Sequence, residues 1–145
     1  MRKIWILISI LLLTSIGYGQ SAMTVRELKQ LNAKADWVKV NENAKTGEPI
    51  YIDSNFIDRD EMLVYFRVKI TRELSGDTYA VVASGCISGT YIFNNIFFET
   101  PTGQLVSAGN KASEPYEAKR GDMMYSAIHY ACNYKPTKKG LTLAT

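Results

Sequence analysis

The chain has 145 residues, 46% hydrophobic and 21% charged, with 17 basic groups against 14 acidic and a formal charge of +3. That length builds one domain with its own core. A charge this small makes no strong electrostatic case for nucleic acid as a partner.

The N-terminus reads as an export signal. "MRK" is a positive start, "IWILISILLLTSI" an apolar run, and Gly17 and Gly19 occupy the −3 and −1 positions of a cut before Gln20. This is the pattern of a cleaved secretory signal peptide over 1–19. The apolar run is about 13 residues, short of the roughly 20 that span a bilayer, so no stable membrane span is expected after cleavage. Arg2 and Lys3 leave with the signal, which takes the 17 basic groups to 15 against 14 acidic and leaves 126 residues. No cysteine follows the apolar run to carry a lipid anchor. Both cysteines, Cys86 and Cys132, lie in the mature part. In an exported protein two cysteines read as one disulfide.

Residues 20–35, "QSAMTVRELKQLNAKA", form a polar leader that is either a short helix or mobile. From Asp36 the pattern alternates: "DWVKV", turn chemistry in "NENAKTGEP" and then "IYID" predict a hairpin. "DSNFIDRDE" crosses to the strongest strand, "MLVYFRVKI". There Val64, Phe66, Val68 and Ile70 share a wholly apolar face, while Leu63, Tyr65, Arg67 and Lys69 share a mixed, partly wet one. "TRELSGD" is a turn, "TYAVVASGCIS" a strand with Gly85 and Gly89 marking a bend, and "TYIFNNIFFET" another strand. "PTGQ" turns the chain into a short strand, "LVSAG", and "NKASEPYEAKR" is a polar linker. "GDMMYSAIHYACNY" then reads as a helix, with Asp122 at its start and Pro136 beyond its end. Met124, Ile128 and Cys132 fall on one stripe with Ala127 and Ala131 beside it. The expected fold is α+β: five or six antiparallel strands with a C-terminal helix on the apolar face, tethered through Cys86 and Cys132.

The text "DWVKVNENAKTGEPIYIDSNFIDRDEMLVYFRVKI", then "YAVVASGC", then "EAKRGDMMYSAIHYAC", resembles the bacterial surface-adhesin protein E family in order and spacing. The resemblance runs from Asp36 to Cys132 and places a domain over 36–134, with a loose tail over 135–145. The chain departs from the family pattern at Gly85, where an Asp is common, at Asp122 for a Ser, and at Tyr116 for a Trp. The resemblance implies a sheet with a disulfide-tethered helix in a surface or periplasmic protein. Some members of the family bind host cell surfaces or matrix proteins.

Four groups of residues invite a functional reading. His129 and Cys132 are three apart, as a nucleophile and base could be, but a disulfide sulfur supplies no thiolate. One histidine and no CxxC make a zinc site unexpected, and no cofactor is implied. Asp53, Asp58, Asp60 and Glu61 could resemble an acid–base or cation site, yet Asp53-Ser54-Asn55 and Asp58-Arg59-Asp60 are ordinary turn-forming triplets. Lys135, Lys138 and Lys139 read as a solvated tail. Phe97 and Phe98 are adjacent and so point to opposite faces, as Tyr91 and Phe93 add to one of them. These four aromatics either build a second small core under the polar linker or form a binding or dimer surface. The expectation is an exported, non-enzymatic interaction domain that meets a host or cell-surface protein, with a periplasmic module lacking any adhesion role as the alternative.

Overall fold

A computed structural model describes residues 23–60, 62–109 and 111–135. The signal segment 1–19, Pro136, Lys138, Lys139 and Glu61 lie outside the described residues. Six strands follow one another as a meander: β1 (Trp37–Glu42), β2 (Pro49–Arg59), β3 (Leu63–Arg72), β4 (Gly76–Gly85), β5 (Thr90–Glu99) and β6 (Leu105–Gly109). All pairings are antiparallel and neighbours in sequence are neighbours in the sheet. A two-residue strand, β7 (Tyr116–Glu117), pairs with the start of β5. Helix α1 (Val25–Ala33) precedes the sheet and α2 (Met123–Asn133) follows it.

The first face of the sheet carries the main core. Ile50, Ile52, Val64, Phe66, Val68, Ala80 and Val82 are buried there against Met124, Ala127, Ile128 and Ala131 of α2. Alternation in β3 and β4 puts their even-numbered residues on this side. Each fully buried aliphatic or aromatic side chain contributes about 1.5–3 kcal/mol. The two alanines let α2 lie close over β1, β2 and β3. Asp122 has the extended backbone of an N-cap, but its carboxylate bonds Lys119 N (3.0 Å) rather than a helix amide.

The second face is covered in part by α1, so residues 25–33 of the polar leader form a helix. Thr24 caps it by accepting from Glu27 N at 3.1 Å. Leu28 is its one buried side chain and packs on Tyr79 and Phe97, with Trp37 and Leu105 alongside. Met23 N donates to Asn95 Oδ1 (3.0 Å) and Asn55 Nδ2 to Lys34 O (2.8 Å), which tie both ends of α1 to the sheet.

Two expectations are corrected on this face. Arg67, expected on a partly wet surface, is 1% exposed. Its guanidinium pairs with Asp53 at 2.8 Å, bonds Asn32 of α1 and lies over the Trp37 ring. Asp53-Ser54-Asn55, expected as a turn, lies within β2. The register steps from Ile52↔Val68 to Ile57↔Phe66, so residues 53–56 stand opposite Arg67 alone. This bulge makes the space that Arg67 fills. Asp53 Oδ1 accepts from Asn55 N within the bulge and from Asp36 N just before β1, and the strand continues to Arg59.

Candidate functional site

The disulfide joins the end of β4 to the last turn of α2, with the Cys86 and Cys132 Cα atoms 5.8 Å apart. Beside it opens a cleft of about 470 Å³ between the β4–β5 turn and α2, lined by Ile87, Ser88, Tyr125, His129 and Asn133 among others. His129 is exposed, and its ring stacks on Tyr125 with centroids 6.3 Å apart. With Cys132 oxidised, this histidine has no thiol partner. Among the described residues no group of three or more His, Cys, Asp or Glu is placed to hold a metal.

A second feature is an apolar trough on the half of the second face that α1 leaves open. One ladder row crosses the sheet as Asp58↔Tyr65, Tyr65↔Ala83 and Ala83↔Ile92. The next holds Leu63↔Gly85, and beyond the β4–β5 turn Thr90↔Glu117. Small residues at 83 and 85 form the floor; Leu63 and Tyr65 wall one side, Ile92 and Pro115 the other, around about 330 Å³. A Cβ at Gly85 would come within 2.5 Å of Ser88 Oγ and displace the hydroxyl that accepts from Thr90 N. Glycine there keeps the floor low and the turn tight.

The trough continues into a second hollow of about 450 Å³ between two turn tips, lined by Met62, Leu63 and Ile87 with Gly85 and Ser88. Met62 is 69% exposed, Ile87 88%, and Leu63 and Tyr65 41% each. Asp60 presents Met62: its Oδ1 accepts from Met62 N (2.8 Å) and Leu63 N (2.7 Å). Those two amides, Leu63 first, hold the Asp60 carboxyl below its ordinary range. Cys86 N donates to Met62 O (3.2 Å), so the two tips are joined at the disulfide. Large apolar side chains concentrated this way mark an interaction surface more often than scattered exposed ones do.

The four aromatics singled out in β5 do not form one surface. Tyr91 and Phe93 lie on the α2 side, edge to face at 5.5 Å, with the Tyr116 ring 5.6 Å from Tyr91. Burial first, then Asp122 and Tyr116, raises the Tyr91 pKa. Phe98 is exposed beside a smaller apolar hollow of about 220 Å³ that also includes Phe93, Ile70 and Ile96. Phe97 is no surface residue: it is fully buried under α1. Asn95, at φ 50°, makes a bulge in which residues 95 and 96 oppose one residue of β4, so the alternation changes phase before Phe97. A second small core does exist, and it lies under α1 rather than under the linker. The sequence does not single out Met62, Leu63, Tyr65 and Ile87 as a surface, because each sits inside or beside a regular strand pattern. Exposed apolar residues at adjacent turn tips were the available signal.

Asp53, Asp58 and Asp60 are not gathered into one site. Asp53 is buried with Arg67, Asp60 caps the β2–β3 turn, and Asp58 stands exposed beside Tyr65 at the trough rim. Arg59 points to the other face, donating to Cys132 O.

Sheet, tether and trough define a disulfide-stapled α+β domain whose antiparallel meander carries a C-terminal helix. Among solved structures, the chain is similar to protein E of Haemophilus influenzae, with a TM-score of 0.51 at 15% identity over 66% of this chain and 83% of that one. The likeness is one of fold. No family model matches the chain, and no curated protein matches it at a significant level.

Proposed function

We propose that this is an exported, non-enzymatic interaction domain of the adhesin kind, and that the trough bounded by Met62, Leu63, Tyr65 and Ile87 is its contact surface. The observation that carries the reading is the exposure of four large apolar side chains at the one end of the sheet the disulfide fixes. A rigid apolar centre is the part of an interface that carries most binding energy. The signal-like segment 1–19, the disulfide and the protein E-like fold support export. Oxidised Cys132 and the exposed His129 beside it support a role without nucleophilic catalysis. The partner is a protein or cell surface, and a homodimer through the same face is the competing occupant.

Two measurements test this. Surface labelling of intact and lysed producer cells distinguishes display from retention. Detection only after lysis leaves a periplasmic module and removes the adhesin role. Labelled mature domain is then applied to host cells and matrix proteins beside a Leu63→Ser, Ile87→Ser variant. Retained binding by the variant removes the trough as the contact surface.

A further inference from the structure

The proposed contact surface has a charge pattern as well as an apolar one. Asp58 stands at one end of the ladder row Asp58–Tyr65–Ala83–Ile92, and Glu117 pairs with Thr90 beyond the opposite wall of the trough. Strand alternation fixes both on the second face. Asp58 pairs with Tyr65, and Glu117 is the neighbour of Tyr116, whose ring lies on the α2 side with Tyr91. Both carboxylates are exposed, and among the described residues neither makes a salt bridge. Asp60 adds a third at the turn that presents Met62. No basic side chain occupies the ladder rows between them: the residues are Tyr65, Ala83, Ile92, Leu63, Gly85 and Thr90. The nearest cation in β2, Arg59, is turned to the other face.

We infer that this surface takes a basic amphipathic polypeptide segment laid across the strands, apolar at its centre over the trough and cationic at both ends, where it meets Asp58 and Glu117. This inference rests on the reading of the trough as the contact surface and names the class of partner. Four strand spacings separate β2 from β7, which places the two acidic rims about 19 Å apart. A helix needs about 13 residues to set two cations at that separation. The acidic rim repels anionic lipid and would set like charges against each other in a homodimer through this face. Steering by the rim makes association faster and salt-sensitive, while the apolar floor holds the complex together.

The probes are synthetic helical peptides of about 16 residues with a leucine-rich centre, flanked by lysine pairs or by glutamate pairs, and vesicles containing an anionic lipid. Binding to the purified mature domain is read by fluorescence anisotropy at low and physiological salt. The lysine-flanked peptide binds at least ten-fold more tightly than the glutamate-flanked one, and the preference shrinks as salt rises. In the Asp58→Lys, Glu117→Lys variant the preference reverses, and the gained affinity for the glutamate peptide itself shows that the variant folds. Equal binding of both peptides, a preference unmoved by the double reversal, or tighter association with anionic vesicles than with the lysine peptide overturns the inference. Loss of all peptide binding in Leu63→Ser, Ile87→Ser is expected on either charge pattern and reports on the contact surface alone. If that variant still binds the peptides, the earlier reading fails too.

Discussion

Arg67 and Asp53 form an ion pair 2.8 Å long with both side chains at most 2% exposed. Around it the leader helix, the β2 bulge and β3 meet: Asn32 accepts from the same guanidinium, Trp37 lies under it, and Asp53 also holds the amides of Asp36 and Asn55. Burial lowers the Arg67 pKa, and the Asp53 charge opposes that effect. A buried pair of this kind is weak evidence for net stabilisation, yet breaking it by removing one partner is costly.

Asp53→Ala therefore costs about 3–5 kcal/mol in urea denaturation, since it strands the Arg67 charge and releases two backbone amides. Arg67→Met costs less, because Asp53 keeps its two N–H donors. The double variant Asp53→Leu, Arg67→Met recovers much of the loss of Asp53→Ala but not all of it, the amides remaining unpaired. A double variant no more stable than Asp53→Ala would show that the pair is not the source of the cost.

The tether makes a second prediction. Cys86 and Cys132 are 46 residues apart, and closing that loop in the unfolded chain is worth about 4 kcal/mol in the chain-entropy model. Cys86→Ser with Cys132→Ser lowers the unfolding free energy by up to about that amount. The fold persists, since Met124, Ala127 and Ile128 still pack α2 on the sheet. Hydrogen exchange should quicken most in the last turn of α2 and the β4–β5 turn. Uniform quickening through the sheet would contradict this local role.

Asn95 sets the phase of β5. Its φ of 50° is a conformation that asparagine tolerates and β-branched residues do not. Its side chain also accepts from Met23 N. Asn95→Val loses both features and costs about 2–3 kcal/mol. Asn95→Gly relieves the backbone and loses only the hydrogen bond, about 1 kcal/mol. Equal losses in the two variants would place the cost elsewhere.

The same residue shows where the sequence stops being readable. Strands β3 and β4 were legible because an unbroken two-residue period sorts Val64, Phe66 and Val68 from their neighbours. The helix stripe of Met124 and Ile128 and the lone cysteine pair were legible for equally local reasons. In "TYIFNNIFFE" one bulge reverses the faces, so counting by twos assigns Phe97 to the wrong side. Only the paired asparagines hinted at it. The strand pattern leaves Arg67 half-wet, because nothing near it in the chain reveals that Asp53 and Asn32 converge on it. Helix α1 was half legible: the leader reads as either a short helix or a mobile segment, and a single buried leucine, Leu28, is too little to announce a docked helix. The trough depends on rows of residues from four strands, and such rows exist only once the register is known.

Tyr79 supplies a pH test of how α1 is held. It lies under Leu28, and burial first, then the charges of Asp77 and Glu99, pushes its pKa up to about 12. The unfolded value is about 10. A raised pKa means the native state favours the protonated phenol. This contribution is complete below pH 10 and is lost as pH rises towards 12. The absorbance titration at 295 nm should show a late step that Tyr79→Phe removes. Hydrogen exchange in α1 should quicken over the same interval, because a phenolate beneath Leu28 draws water under the helix. Tyr79→Phe keeps the ring against Leu28 and Phe97 and removes the titrating group, so its α1 protection should stay flatter through that window. If the variant loses protection as steeply as the parent, α1 is released by some other group and Tyr79 is only its floor.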